Sequence, residues 1–441
     1  ALAGGPWITP ALSMQQVVWT KTLVKGGRSG RFFLPQPTTR EGYYKDIAVF
    51  AYPAPRDMML PDDSTAMLLV EAQPLPIRVT SADGQQDLSA KTLTYRSDSA
   101  TWIQYEYAQP FLCRSVVTRV NGTNLQSHRL RVEASHDGVH FRTVAQLEPP
   151  RHGWQNTGFD VTHAIPPTRA RFFRFHWTPE GTLPGAEDYD NAKWSPRLRL
   201  TGLHLSAEPL IHQFEGKNAS VWRLAHPVTE GAKSTANWVP QDQLINLTDK
   251  LQADGSLRWT PPKGQWVLLR MGHTSTGMTN ATGGGGIGLE CDKFNPVAVK
   301  TQFDQWFGKA CELAGPDLLG SVLTRLHIDS WECGSQNWTA EFPALFAAKR
   351  GYDLLPFLPV MAGVPLVSEE QSERILYDVR LTIAELVNEV FYGTLVEAAH
   401  AKGCLVTAES VAPTMMGDGL LHHGTVDLPM GEFWYESPTH D

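Results

Sequence analysis

The stretch SVLTRLHIDSWECGSQN at residues 321–337 decides the fold of this chain. Its first half is typical of a buried strand and its second half of a polar loop. Two similar runs lie downstream, CLVTAES at 404–410 and LPMGEFW at 428–434. We predict three strands from these runs, the first of which ends at Asp329.

Helical patterns separate these strands. Residues 342–350 and 354–361 predict short helices, and residues 369–401 predict a long helix that begins with a capping box from Ser368 to Gln371. Residues 296–314 predict a further helix, whose apolar face we assign to Val297, Phe303, Trp306, Phe307 and Cys311. Alternating strands and helices predict parallel α/β architecture, which both a barrel and a doubly wound sheet satisfy.

The sequence upstream of residue 264 is rich in strand patterns instead. Runs of β-branched and aromatic residues close with Gly or Pro in the first 56 residues, and residues 57–208 hold short runs at hairpin spacing. The second pattern predicts an antiparallel sandwich. We therefore divide the chain into a β-rich segment at 1–56, a β-sandwich at 57–208, a β-rich connecting segment at 209–263 and a parallel α/β segment with the site at 264–441.

Composition and charge exclude several classes of protein. A chain of 441 residues is long enough for two or three domains. Its net charge of −8 provides no basic field for nucleic acid, and no run of about eighteen apolar residues predicts a membrane span. No P-loop or GxGxxG motif follows a predicted strand, and no GxSxG motif is present. The apolar surroundings of Cys113 and Cys404 predict buried free thiols.

Carboxylates gather at the predicted strand ends, namely Asp329, Glu332, Glu409 and Glu432. In a barrel, functional side chains lie at the carboxyl ends of the strands. Glycoside hydrolysis uses one carboxyl group as proton donor and a second as base or nucleophile, so several acids in aromatic surroundings suit it. The flanking aromatic residues are Trp331, Trp338, Phe433 and Trp434. The alternative is that each acid caps a helix or pairs with an arginine.

Three histidines are further candidates for acid–base groups or metal ligands, namely His327, His422 and His423. The chain has no HExxH spacing, which argues against zinc. Oxygen ligands such as Glu432 and neighbouring carbonyl groups would suit calcium instead.

Several motifs together resemble glycoside hydrolase family 106, the α-L-rhamnosidases. In chain order they are GGPWITP, YYKDIAVFAYP, GHTSTG, GLECDKF, HIDSWECGSQNWT, FAAKRGYD, SERILYDVR and PMGEFW. They extend from Gly4 to Trp434 and so cover nearly the whole chain. The stretches SATWIQYEYAQPF and LRVEASHDGVHF also resemble a discoidin-like sandwich, which often serves as a carbohydrate-binding or structural accessory.

The resemblance implies an incomplete (β/α)8 barrel interrupted by that sandwich, which cleaves terminal α-L-rhamnosides with inversion and with calcium at the sugar. By position in the motifs, Glu332 resembles the general acid, Asp329 is its catalytic neighbour, and Glu432 resembles a calcium-binding carboxylate. The expected substrate-binding residues are His273, Asn280, Glu290, Asp292, Trp331, Asn337, Glu409 and Trp434.

We also expect the chain to be part of a longer enzyme. The family's general base is expected beyond Asp441, and Ala3 occupies a position where a polar residue near the metal is expected. The expected partners are rhamnose-containing oligosaccharides, polysaccharides or glycosides, and the resemblance implies a periplasmic or secreted location. Two alternatives stay open: a non-catalytic carbohydrate-binding fragment, and another barrel glycosidase such as a retaining, galactosidase-type enzyme.

Overall fold

The structure is a computed structural model that describes residues 3–55, 57–58, 60–84, 93–120, 129–152, 159–180, 196–225, 238–409 and 417–431. The strands are β1 (Gln15–Lys25), β2 (Gly30–Phe33), β3 (Tyr44–Pro53), β4 (Ala66–Leu68), β5 (Arg78–Ser81), β6 (Tyr95–Ser97), β7 (Thr101–Val120), β8 (Arg131–Ser135), β9 (Arg142–Gln146), β10 (Arg151–His152), β11 (Asp160–Trp177), β12 (Leu198–Ser206), β13 (Arg223–Leu224), β14 (Ile245–Asn246), β15 (Ser256–Trp259), β16 (Gln265–Ser275), β17 (Arg325–Ile328), β18 (Leu405–Glu409) and β19 (Leu428–Met430). The α-helices are α1 (Phe214–Lys217), α2 (Pro296–Gln305), α3 (Phe307–Leu318), α4 (Phe342–Arg350), α5 (Glu369–Leu386), α6 (Gly393–His400) and α7 (Gly419–Thr425).

The first sheet is antiparallel and joins segments that are far apart in the sequence. Its strand order is β14-β3-β16-β1-β4. The central strand β16 is buried on both faces, because successive side chains of a strand point to opposite sides. Val267 and Leu269 enter the main hydrophobic core, whereas Trp266 and Leu268 enter a second, smaller one. The sheet therefore lies between two cores.

The predicted antiparallel sandwich is confirmed. The long strand β7 pairs with β5 through residues 103–106 and with β12 through residues 115–120, so its two halves belong to different layers. Its partner β11 shifts register between Ala170 and Phe172, which marks the bend. The Tyr105 hydroxyl donates a 2.7 Å hydrogen bond across the layers to the Leu203 carbonyl. Aromatic rings, including Phe173 and Phe175, fill the space between the layers.

The third sheet contains three parallel strands in the order β17-β18-β19, as the three apolar runs predict. Helix α4 has the predicted bounds, and the Ser368 hydroxyl caps α5 by accepting from the Gln371 amide at 3.0 Å. The predicted long helix continues from α5 through a π-helical turn, Val387–Tyr392, into α6. In the described part of the chain this sheet does not close into a barrel, so the parallel α/β class is established and the barrel is not.

Two predicted helices differ from the observed ones. Residues 296–314 form α2 and α3, with a break at Trp306, where the backbone leaves the helical region. The predicted apolar face is wrong at Trp306, which stands at the break and is 57% exposed, and at Val297, which is 63% exposed. Within α2 the buried side chains are Ala298, Val299, Gln302 and Phe303, on a different side of the helix from Val297. The predicted α-helix at 354–361 is a 3-10 helix, Leu355–Ala362, with prolines near its start and in its interior. None of the described helices combines the length and the apolar character that a membrane span needs.

The N-terminal glycines lie directly against the GLECDK segment. Gly4 forms an isolated antiparallel bridge with Glu290, and the Gly5 amide donates to the Leu289 carbonyl at 3.2 Å. A Cβ atom on Gly288 would lie 2.0 Å from the Gly5 carbonyl carbon, a distance that no real side chain shows. Glycine is therefore required at position 288 by close approach of two backbones.

We expect Gly288→Ala to lower the free energy of unfolding by about 1–3 kcal/mol or more, because the two backbone segments must separate to admit the methyl group. Urea unfolding followed by circular dichroism measures the change. Gly285→Ala is the matched control, since a Cβ atom there meets nothing within 4 Å. The control should change stability by less than about 0.5 kcal/mol. Equal effects of both substitutions would contradict the steric explanation.

Candidate active site at the parallel strand ends

The parallel register brings two predicted site carboxylates together. Ile328 of β17 pairs with Ala408 of β18, so Asp329 and Glu409 follow on neighbouring strands. Because side chains alternate along a strand, His327 and Asp329 lie on the same face of the sheet. The His327 Nδ1 atom is 2.9 Å from the Thr407 hydroxyl on the neighbouring strand. Polar groups thus gather at one end of the sheet.

Asp329 is exposed and favoured as an ionised carboxylate. The Ser330 amide donates to Asp329 Oδ1 at 2.8 Å, and Glu409 forms a second hydrogen bond with this carboxylate. The Ser330 amide first, and then Glu409, lower the pKa of Asp329 below its ordinary value. The two carboxyl groups therefore lie close together on neighbouring strand ends.

Ser330 links the two predicted catalytic acids. Its amide binds Asp329, and its hydroxyl donates to Glu332 Oε1 at 2.8 Å. In this loop Trp331 and Cys333 point inward and are buried, whereas Glu332 points outward and is exposed. The Trp331 indole N–H donates a 2.7 Å hydrogen bond to the Gly334 carbonyl within the same turn. The loop therefore presents Glu332 to solvent beside Asp329.

A cavity of about 440 Å³ lies beside these acids, between β17, the α2–α3 pair and the π-helical turn. Asp329, Ser330 and Glu332 line its polar part. Its apolar part is lined by Phe303, Trp306, Phe307, Ile328, Phe391 and Leu395. A volume of this size is typical of sites for small molecules.

A buried ion pair lies beneath the Ser330–Gly334 loop, which carries Glu332. Lys293 Nζ lies 2.6 Å from Glu290 Oε2, and both side chains are fully buried. The same carboxylate oxygen accepts a 2.9 Å hydrogen bond from the Ala3 amide. The ammonium group also lies 5.0 Å from the centre of the Trp331 ring and 5.5 Å from that of Phe391. The pair joins the GLECDK segment to the loop that carries Glu332.

Asp292 and Asn337 are buried and bonded within the protein. Asp292 accepts from the Gln336 amide group at 2.5 Å and from the Thr339 hydroxyl at 2.6 Å. Burial raises the pKa of Asp292 to about 6. Asn337 accepts from the Val17 amide at 2.9 Å and donates to the Asn218 carbonyl at 2.9 Å. These predicted substrate-binding residues hold segments together below the strand ends.

His273 and Asn280 are not among the residues that line the cavity beside the acids. His273 is in β16 of the antiparallel sheet, where its Nδ1 atom is 3.3 Å from Gln15 Oε1. Burial, together with the charge of Lys45, lowers the pKa of His273 to about 4. Asn280 donates to the Gly4 carbonyl at 2.7 Å and accepts from the Gly288 amide at 2.9 Å. Its described contacts organise the glycine-rich loop.

The remaining candidates differ in position. His422 stacks on Tyr392 with ring centres 3.8 Å apart, and burial lowers its pKa to about 4. Glu432 and Trp434, predicted as a calcium ligand and a substrate-binding residue, lie outside the described residues. Sequence reasoning missed Ser330 and Lys293. The spacing of Glu290 and Lys293 within GLECDK could have indicated the ion pair, because a short turn brings residues three apart together.

One group of side chains could hold a metal ion in the described part of the chain. His327, Asp329 and Glu409 place one ligand atom each within 4.8 Å of one another. This set of one imidazole and two carboxylates does not fit calcium, which takes roughly six to eight oxygen ligands. A mixed nitrogen and oxygen set suits a transition metal better.

Comparison with known proteins matches the chain to one family and to two longer relatives. The profile of the alpha-L-rhamnosidase family, glycoside hydrolase 106, matches residues 1–441. The rhamnosidase from Novosphingobium sp. PP1Y is similar over 97% of this chain and 40% of its own, with a TM-score of 0.76 and 27% identity. A protein of Formosa agariphila named "Putative beta-glucuronidase" is 27% identical over 433 residues, which are 98% of this chain and 24% of that protein. The chain thus spans less than half the length of either relative.

We expect Lys293→Met to lower the free energy of unfolding by about 3–5 kcal/mol, because it leaves the Glu290 carboxylate buried without its cation. Urea unfolding measures the loss. Lys300→Met is the matched control, since the Lys300–Asp304 pair is largely exposed, and it should cost about 1 kcal/mol or less. A loss for Lys293→Met no larger than that of the control would show that the buried pair does not anchor this region.

Asp292 gives a pH-dependent prediction. Its folded-state pKa of about 6 lies above the value of about 3.9 in an unfolded chain, so the native state binds the proton more tightly. Its contribution to stability is therefore fully present below about pH 4 and is lost as the pH rises through 6. Relative to Asp292→Asn, the wild type should lose on the order of 2 kcal/mol between pH 4 and pH 7. A difference that urea unfolding finds independent of pH would contradict this.

Proposed function

Because the chain belongs to the alpha-L-rhamnosidase family of glycoside hydrolases, we propose that it carries the proton-donor part of an enzyme that removes terminal α-L-rhamnose with inversion. Glu332 is the proposed general acid. The observation that carries the proposal is the placement of Glu332 and Asp329 on one cavity, where Ser330 binds both. A glycosidase needs its proton donor open to the glycosidic oxygen, and Glu332 is exposed there.

The residues of this chain have separate tasks in the proposed reaction. The Ser330 hydroxyl binds Glu332 Oε1, which leaves Oε2 to donate a proton to the leaving oxygen. Asp329, whose lowered pKa favours the ionised form, provides a negative charge beside the carbon that becomes positive in the transition state. The apolar side of the cavity suits the methyl group that distinguishes rhamnose from hexoses with a hydroxymethyl group.

Inversion requires a second carboxylate about 6.5–9.5 Å from the acid, on the opposite face of the sugar. We propose that this base lies beyond Asp441, in a longer enzyme of which this chain is one part. We also propose that the three parallel strands belong to a (β/α)8 barrel, interrupted by the sandwich at 57–208 as an accessory domain. The periplasmic or secreted location is part of the same proposal.

Glu432 is the only residue of this chain that we propose as a calcium ligand. When bound, calcium would orient the sugar hydroxyl groups. The other predicted binding residues stay in the proposal, namely His273, Asn280, Glu290, Asp292, Trp331, Asn337, Glu409 and Trp434. The burial of Asn280, Glu290, Asp292 and Asn337 favours a supporting role, in which they fix the segments around the cavity.

A second candidate is a glycosidase that cleaves another sugar, a β-glucuronide in particular. The observation in its favour is the Formosa agariphila protein, because its identity to this chain equals that of the Novosphingobium rhamnosidase. The carboxylate of a glucuronide needs a cation in the site, whereas the described lining of the cavity contains no arginine or lysine. The cavity therefore favours a neutral sugar.

Glu332→Gln, made in the longer protein that contains this chain, should lower turnover of an aryl α-L-rhamnoside by roughly a hundredfold to ten-thousandfold. The loss should be much smaller for a dinitrophenyl rhamnoside, since that leaving group departs without a proton. The decline in rate at high pH, where a general acid loses its proton, should also disappear in the variant. Steady-state rates against pH measure both effects.

Glu341→Gln is the matched control, because Glu341 is an exposed carboxylate at the start of α4. It should leave all rates unchanged. Equal losses on both leaving groups would assign Glu332 a structural role, and unchanged turnover would remove it from the mechanism. Turnover of an aryl β-D-glucuronide but not of the rhamnoside would replace the leading function with the second one.

A further inference from the structure

The outer face of one sandwich layer carries charged and aromatic side chains. In the register of β5, β7, β11 and β8, the buried residues of each strand alternate with a second set that points away from the core. We call this second set the arginine face. Its members are Arg78, Thr80, Trp102, Gln104, Glu106, Arg131, Glu133, Arg174 and His176, with Phe141 packed beside them.

Arg174 lies at the centre of the arginine face and is held between two rings. Its guanidinium carbon lies 3.8 Å from the centre of the Phe141 ring and 5.0 Å from that of Trp102. The Nε and Nη2 atoms donate to Gln104 Oε1 at 3.0 and 2.7 Å. Both rings are partly exposed. The guanidinium group is therefore fixed in orientation and partly removed from water.

The arginine face has fewer carboxylates than cations. Glu106 pairs with the nearby Arg171 at 2.6 Å, and Glu133 pairs with Arg131 at 3.1 Å and His176 at 3.0 Å. Glu133, which lies opposite Arg174 on β8, attracts its charge, but in the described part of the chain its ion pairs are with Arg131 and His176. A guanidinium has five N–H donors, and Gln104 accepts two of those of Arg174. Three donors thus lack a partner in the described part of the chain.

These features match the chemistry of one kind of ligand. A planar guanidinium binds a carboxylate through two parallel hydrogen bonds, and prior immobilisation between rings reduces the entropy lost on binding. Exposed aromatic rings on a flat sheet provide apolar surface for the faces of sugar rings. Burial lowers the pKa of Arg174 because the guanidinium group has lost part of its hydration. An anionic partner would offset that loss.

We propose that the arginine face is a binding site for a carboxylated glycan, in which Arg174 binds the carboxylate of a uronic acid and Trp102 contacts its ring. The site lies on the sandwich, and the proposal does not depend on Glu332 or on any reaction. It assigns the protein a second carbohydrate contact, of a different chemical class from the neutral sugar proposed for the cavity.

Isothermal titration of the longer protein that contains this chain with polygalacturonate, a chain of uronic acids, tests this site. We expect binding that Arg174→Ala weakens by about tenfold or more, a loss of about 1.4 kcal/mol. Arg174→Lys should also weaken it, because lysine keeps the charge but not the planar donor pair. Arg119→Ala is the matched control, since Arg119 pairs with Asp160 in the other layer and its removal changes the net charge equally. It should change the affinity less than about twofold.

Several results would overturn the proposal. One is no binding of polygalacturonate at about 10 mM sugar, which is weaker than any specific contact here would be. Another is an equal loss for Arg119→Ala and Arg174→Ala, or equal binding of polyglutamate, which would indicate general attraction of polyanions. A third is equal binding of a neutral glucan. Circular dichroism of each variant confirms folding, and unchanged binding by folded Arg174→Ala and Arg174→Lys would show that the stack only stabilises the sheet.

Discussion

The buried pair between Glu290 and Lys293 is the interaction on which the site depends. Isolated charges are costly to bury, and this pair is tolerated because the two opposite charges lie in direct contact. Glu290 binds the Ala3 amide, and Lys293 lies below the rings of Trp331 and Phe391. The N-terminal segment, the GLECDK segment, the Ser330–Gly334 loop and the π-helical turn therefore meet at one point. Residues separated by almost the whole chain are held together there.

Near this pair, side chains alternate between buried and exposed positions along β17 and the loop that follows it. Leu326 and Ile328 are buried, whereas His327 and Asp329 between and after them are exposed. The next turn continues this alternation, with Trp331 buried and Glu332 exposed. An exposed acid can exchange protons and reach a substrate, and a buried one bonded to protein groups can only hold its surroundings. The same loop thus presents Glu332 to solvent and packs Trp331 against the buried Lys293.

Local patterns predicted much of the fold. Helix α4, the Ser368 cap and the parallel strands follow from periodicity and capping, which depend on neighbouring residues. The break at Trp306 and the π-helical turn could not be predicted, because periodicity describes an ideal helix and not the packing that interrupts it. Likewise, two predicted strands proved to be the halves of β7, since only the assembled layers show where a long strand bends.

The candidate site was predictable where strand order alone decides it. Parallel neighbours place Asp329 beside Glu409 whatever else surrounds them. Sequence could not rank the acids, however, because Asp292 and Glu332 both lie in polar motifs. The partners that bury Asp292 are Gln336 and Thr339, more than forty residues away. Since these groups bind both oxygens of Asp292, its carboxylate is not open to a glycosidic bond. Glu332 keeps one oxygen open beside the cavity, and this difference in accessibility is why we propose Glu332 rather than Asp292 as the proton donor.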